Sequence, residues 1–393
     1  MNSEDTPFTA PAASAQGRFA AAMRVLEEAI AARAFPGCAF GVLAGRKVVL
    51  TGARGYFTYD KAALTVAPET VYDVASLTKV MATTAAAMLL HQRGLLRLET
   101  PLGELLPAFT ANRAAGDPAR RVTLRHLLAH NAGLPGYVQF FRAADTGEAL
   151  LQACLELPLE AEPGRRAEYS DPSFILLSKA LEALISESLA TWVQREVFQS
   201  LGMTATGFIE SRPSDKDVAT MGHPMFLSGI NSQSTEARNL IPPTEEDTIF
   251  RHRRIQGEVQ DENAWLLGGA AGHAGLFSNV PDLLRFAHEI LSAHAGRGRL
   301  FTAATVEIFA ERQAPPGSSR ALGWDTPSQS SSAGRHFSRH SIGHLGFSGC
   351  SLWIDLEAEV AVALLTNRTW PDRLSQLIRQ VRPAFHDAIR QEL

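Results

Sequence analysis

The 393 residues predict an α+β protein: one antiparallel sheet flanked by terminal helices, with a mostly helical lobe inserted into it. Three observations carry that reading. The chain opens with a helical pattern followed by two strand patterns, it closes with two strand patterns followed by a helical one, and helical spacing dominates between them. The expected division is a polar, disordered segment over 1–17, a sheet domain from 18–70 and 300–393, and a helical lobe with long loops over 71–299.

The opening helix is "GRFAAAMRVLEEAIAARAF", whose apolar residues recur at helical spacing. In "GCAFGVLAGRKVVLTGARGYFT" two β-rich runs flank a tight Ala44-Gly45 turn, which reads as a hairpin. Helical patterns then follow near 78–93, 123–130, 147–156, 172–186, 188–200 and 281–294. Residues 205–262 are rich in Pro, Ser, Thr and charge with little periodicity, so they predict long loops of the kind that wall binding sites. "GFSGCSLWIDLEAEVAVALLTNR" gives two strands around Leu356 to Glu359. "DRLSQLIRQVRPAFHDAIRQEL" gives an amphipathic closing helix, interrupted by Pro383.

Composition narrows the function. A formal net charge of −4 gives no basic footprint for nucleic acid, so a small-molecule or short-peptide substrate is the expected partner. No run reaches the roughly 18 to 20 apolar residues of a membrane span. Cys38, Cys154 and Cys350 are scattered, without the spacing of a thiolate metal site, and read as buried apolar fillers. No metal or other cofactor is expected. The first residues lack the basic and apolar regions of a signal peptide, which as written points to the cytoplasm; removal of a leader would make the periplasm the alternative.

The chain has only five lysines, and one of them follows a serine by three residues in "DVASLTKVMATTAAAMLL". Positions i and i+3 share a helix face, so Ser76 and Lys79 can bring Oγ and Nζ together at the first turn. Serine is a weak nucleophile without a base, and a desolvated lysine with a lowered pKa can supply one. The same letters also describe a helix cap followed by a surface charge. Small apolar residues after Lys79 predict a buried central helix. In "EPGRRAEYSDPSFILLSKALE", Tyr169 stands before a helix that Asp171 is expected to cap and Pro172 to begin; a phenol near an ammonium can shuttle protons. In "SIGHLGFSG", His344, Gly346 and Gly349 punctuate a strand start, where glycine lets a ligand approach the backbone.

Together, "SLTK", "YSD" and "HLG" resemble the signature of the serine β-lactamase and penicillin-binding protein superfamily, in particular the branch of class C β-lactamases, family VIII carboxylesterases and related DD-peptidases. Their order and spacing fit that branch, as do "TLRHLLAHNAGLPGY", "LGMTATGF" and "GGAAGHAGLFSNVPDLLRF", over roughly residues 18 to 390. The resemblance implies a β-lactamase/transpeptidase-like fold and a serine hydrolase that forms an acyl-enzyme. Ser76 would attack a carbonyl, Lys79 and Tyr169 would share the proton, and the backbone N–H groups of Ser76 and Phe347 would hold the oxyanion. Asp171, His344 and Gly346 would meet the substrate. Two departures move the expectation from β-lactams toward esters or amides. Asp171 stands where the branch has asparagine, so its charge should repel an anionic substrate; His344 stands in place of a lysine that pairs with a substrate carboxylate.

Other readings are weaker. No serine lies in Gly-x-Ser-x-Gly, which argues against a nucleophile-elbow hydrolase. His126 and His130 of "HLLAH" share a helix face but lack a third metal ligand, and read as packing or loop-anchoring residues. His273 is expected at the pocket rim or fixing a glycine-rich turn. A DD-peptidase, or a relative that binds without turnover, remains the alternative function.

Overall fold

In the computed structural model, which describes residues 15–211 and 235–393, the main sheet has five antiparallel strands. The sequence predicts four of them: Gly37–Ala44, Lys47–Gly55, Ser351–Asp355 and Val360–Thr366. The fifth, Ser341–Leu345, pairs with Ser351–Asp355 at the edge and carries His344. The two chain ends meet at the centre, where Cys38 faces Thr366 and Ala44 faces Val360. The expected disorder of the first 17 residues falls mostly outside the described part, as does 212–234 of the expected loop region.

Both central strands are buried along almost their whole length, because each face of the sheet is covered. Successive strand residues point to opposite faces. Phe40, Val42 and Leu364 therefore join the terminal helices Ala20–Ala31 and Ile378–Arg390 in one core. Ala39, Leu43 and Leu365 turn the other way, into a larger core shared with the helix Val280–His294. A Cβ at Gly41 would lie 2.6 Å from Val280 and 2.8 Å from Leu284, so glycine there lets that helix sit close.

Pro383 does not interrupt the closing helix, which runs on through it. The lost N–H costs one hydrogen bond, but packing on both sides of the proline holds the helix. Phe385 meets Phe40 edge-on at 5.9 Å, and the buried Arg382 donates to the carbonyls of Gly346, Gly349 and Cys350 at 2.6, 3.1 and 2.8 Å. Burial lowers the Arg382 pKa to about 9. This side chain ties the last helix to the turn that follows His344.

The chain from Leu77 to Leu90 is buried without a break. Its small residues form the predicted central helix, with one difference. Residues Ala75–Leu77 make a 3-10 turn, Lys79–Thr84 a π-helical stretch, and regular α-helix starts only at Ala85. π turns recur at functional sites. Among the described residues no helix is long and apolar enough to cross a membrane.

Candidate active site

The nucleophile segment begins at the short strand Tyr72–Asp73, which pairs with Leu276–Ser278. Ala75 then takes a left-handed conformation, φ 48°, uncommon for a residue with a Cβ. Asp73 holds that conformation by accepting from the Ala75 N–H at 2.8 Å, and its other oxygen accepts from Gln260 N at 2.8 Å. Thr78 closes the turn on the Ala75 carbonyl at 2.6 Å and accepts from Leu276 N at 3.0 Å. Ser76 is the one partly exposed residue between Val71 and Leu90.

Lys79 Nζ lies 3.0 Å from Ser76 Oγ, 3.0 Å from the His273 carbonyl and 2.7 Å from Asp171 Oδ1. Its side chain is fully enclosed. Burial alone would push the ammonium down, which is the sequence expectation. The Asp171 carboxylate and Tyr169 more than offset it, and the Lys79 pKa is raised above its ordinary value. Asp171 also differs from its expected role: Ser170, not Asp171, caps the helix, and Asp171 rather than Pro172 is the first helical residue. Beside the lysine its charge is compensated and no longer stands as a bare repulsion to an anion.

Tyr169 lies on the approach to that helix, with Lys79 Nζ 4.8 Å from its ring centre. Burial raises its phenol, partly countered by Lys79 and by hydrogen bonding with Lys79 and Ser76. The His130 ring packs 4.8 Å from the Tyr169 ring, and His344 5.7 Å from it. Both histidines are buried, which holds their pKa values well below the usual range and leaves them neutral. His130 Nδ1 accepts from Ser170 N at 3.0 Å, so it anchors the Tyr169 loop. His126 instead completes a capping box with Thr123. His273 fixes the glycine-rich turn through Asp261, 3.0 Å from its Nε2, while its carbonyl meets Lys79.

The turn after His344 docks on the nucleophile segment. A Cβ at Gly346 would sit 2.4 Å from the Val74 carbonyl, and Ser348 Oγ donates to the Asp73 carbonyl at 2.8 Å. Phe347 is held between them by Arg368, which donates to its carbonyl at 2.7 Å and lies 4.3 Å over its ring. Among the described residues, neither the Ser76 nor the Phe347 N–H donates to a backbone carbonyl in these turns.

The segments picked out by sequence, Ser76, Lys79, Tyr169, Asp171, His344 and Gly346 with Phe347, thus form one cluster. Sequence reasoning missed Asp73, three residues before the serine, although a carboxylate ahead of a strained turn is a readable capping signal. It also missed Arg320, whose guanidinium lies 5.2 Å over the Tyr169 ring and for which no local pattern exists. Burial raises the Asp73 carboxyl to about 6, against the two amides that lower it. Its folded value exceeds the unfolded one, so its stability contribution is full below about pH 4 and lost as pH rises through about 6. Relative to wild type, Asp73→Asn should gain up to about 3 kcal/mol between pH 4 and 7, read as the difference in urea midpoints; a flat difference would contradict it.

Comparisons with known proteins bear on the family and the fold. A family profile described as Beta-lactamase matches residues 22–383. The N-acetylmuramyl-L-alanine amidase of Bacillus subtilis (strain 168) is 28% identical over 370 residues, covering 88% of this chain and 80% of that protein. Among solved structures, EstCE1, a hydrolase with promiscuous acyltransferase activity, superposes with TM-score 0.70 at 22% identity, covering 95% of this chain and all of that one. A penicillin-binding protein homolog from Caulobacter crescentus gives TM-score 0.71 at 16% identity, covering 98% and 99%.

Proposed function

Because this chain belongs to the Beta-lactamase family and is a serine hydrolase of that type, we propose that it forms its acyl-enzyme on Ser76 and takes amides and esters as acyl donors. The observation that carries the proposal is the contact chain from Ser76 Oγ through Lys79 Nζ to Asp171, with Tyr169 packed beside the ammonium. In acylation, Ser76 Oγ attacks the carbonyl carbon while its proton passes to the Lys79–Tyr169 pair. The oxyanion is held by the free amides of Ser76 and Phe347. Tyr169 then returns a proton to the departing amine or alcohol, and the same pair takes one from the water that cleaves the ester.

Amide bonds are favoured by the likeness to the Bacillus amidase. A neutral His344 supports donors that need no cation at that strand position. Treatment with a fluorophosphonate should add one label, on the peptide carrying Ser76. A p-nitrophenyl ester should give a burst, and esters and anilides should turn over faster than nitrocefin. Absence of both label and burst would remove the proposal. Tyr169→Phe keeps the ring on His130 but loses the proton; single-turnover acylation and deacylation should each slow about 10²- to 10⁴-fold.

A further inference from the structure

Asp171 touches the proposed base directly, and that contact has a consequence for when the site is active. The groups facing Lys79 are few. From its own segment comes Ser76, while the Asp73 carboxyl three residues earlier is engaged by two backbone amides. From the loop and helix around 170 come Tyr169 and Asp171. His130, on the turn after helix Leu124–Leu128, and His344, on the edge strand, are neutral. Arg320 comes from a hairpin bridged to that strand through Asp325 and Gly343, and adds positive charge. Asp261 is turned to the His273 ring, which holds it at about 2 although burial opposes this. Asp171, at 2.7 Å, is the carboxylate in contact with the ammonium.

Resting on the acyl-enzyme reading above, we propose that Asp171 is a positioning residue that keeps Lys79 and Tyr169 protonated near neutral pH, so that the Ser76 site turns on only at alkaline pH. The physical ground is the sign of its charge. A carboxylate against the ammonium stabilises the form that cannot accept the serine proton, and the same charge disfavours a Tyr169 phenolate. Both groups are raised from their ordinary values with Asp171 among the causes. The direction is therefore the same whichever of the two takes the proton. An asparagine here would keep the size and one oxygen toward Nζ while removing the charge. Burial would then govern Lys79 and push it down.

The test is the pH dependence of kcat/KM on a p-nitrophenyl ester, from pH 5 to 10.5, for wild type and Asp171→Asn. The wild-type acidic limb should still be rising above pH 8. In the variant it should move down by about one to three units, the usual effect of one opposite charge in contact, so the rate at pH 7 rises about ten-fold or more. Two results would overturn the proposal: a wild-type profile already flat at pH 7, or a limb that stays in place in the variant. A limb fixed near 6 in both proteins would report Asp73 instead. If the variant does not fold, the wild-type profile alone decides. Fluorophosphonate labelling of Ser76 at pH 9.5 runs alongside: a labelled serine with an unmoved limb defeats only the role of Asp171, whereas no labelling at any pH defeats the acyl-enzyme reading beneath it.

Discussion

Ser76→Ala should lose the fluorophosphonate label and the ester burst, and its kcat should fall by on the order of 10³- to 10⁶-fold. Lys79 Nζ meets Ser76 Oγ, a backbone carbonyl, Asp171 and the Tyr169 phenol, so Ser76 supplies the aliphatic hydroxyl against it. The fold should hardly notice. Ser76 gives no side-chain cap to its turn, and removing Oγ leaves Lys79 its carbonyl, carboxylate and phenol partners. A stability change within about 1 kcal/mol is expected. Wild-type turnover by Ser76→Ala would end the assignment.

Lys79→Ala should cost both activity and stability, and the second loss distinguishes it from the serine variant. The mutation removes a fully enclosed side chain and strips Asp171 of its partner. Breaking a buried pair by deleting one member typically costs about 3–5 kcal/mol, because the remaining charge is uncompensated. Denaturant unfolding should show a loss of that order at pH 8. Lys79→Met, which fills most of the space, should stay equally inactive and recover only the packing share. If Lys79→Ala matches wild-type stability at pH 8, the pair is not a structural element.

Much of this molecule is legible in local pattern. The hairpin at Ala44-Gly45, the helices near 147–156, 172–186 and 281–294, and the strands either side of Leu356–Glu359 follow from period-2 and period-3.6 burial and from turn chemistry. The strand Ser341–Leu345 was legible only as a place where glycines meet a strand. It is five residues long at a sheet edge, and its pairing is supplied by Ser351–Asp355. The π-helical start of the central helix left no signal, because "KVMATT" fits α, π or 3-10 geometry equally; burial and the contacts of Lys79 select among them.

By itself, the sequence determined which residues gather at the site: a serine and a lysine three apart, a tyrosine before a helix, and a glycine-flanked turn near the C-terminus. These are local spacings, and local spacing is what a sequence records directly. Only the tertiary structure decided their ionisation. Asp171 is about ninety residues from Lys79 and reads locally as a helix start, yet at 2.7 Å it reverses the effect of burial on the lysine. Arg320 and His130 reach Tyr169 from two further parts of the chain. Charge acts through space at distances of a few ångströms, and those distances are set by how the sheet and helices pack, not by the order of residues along the chain.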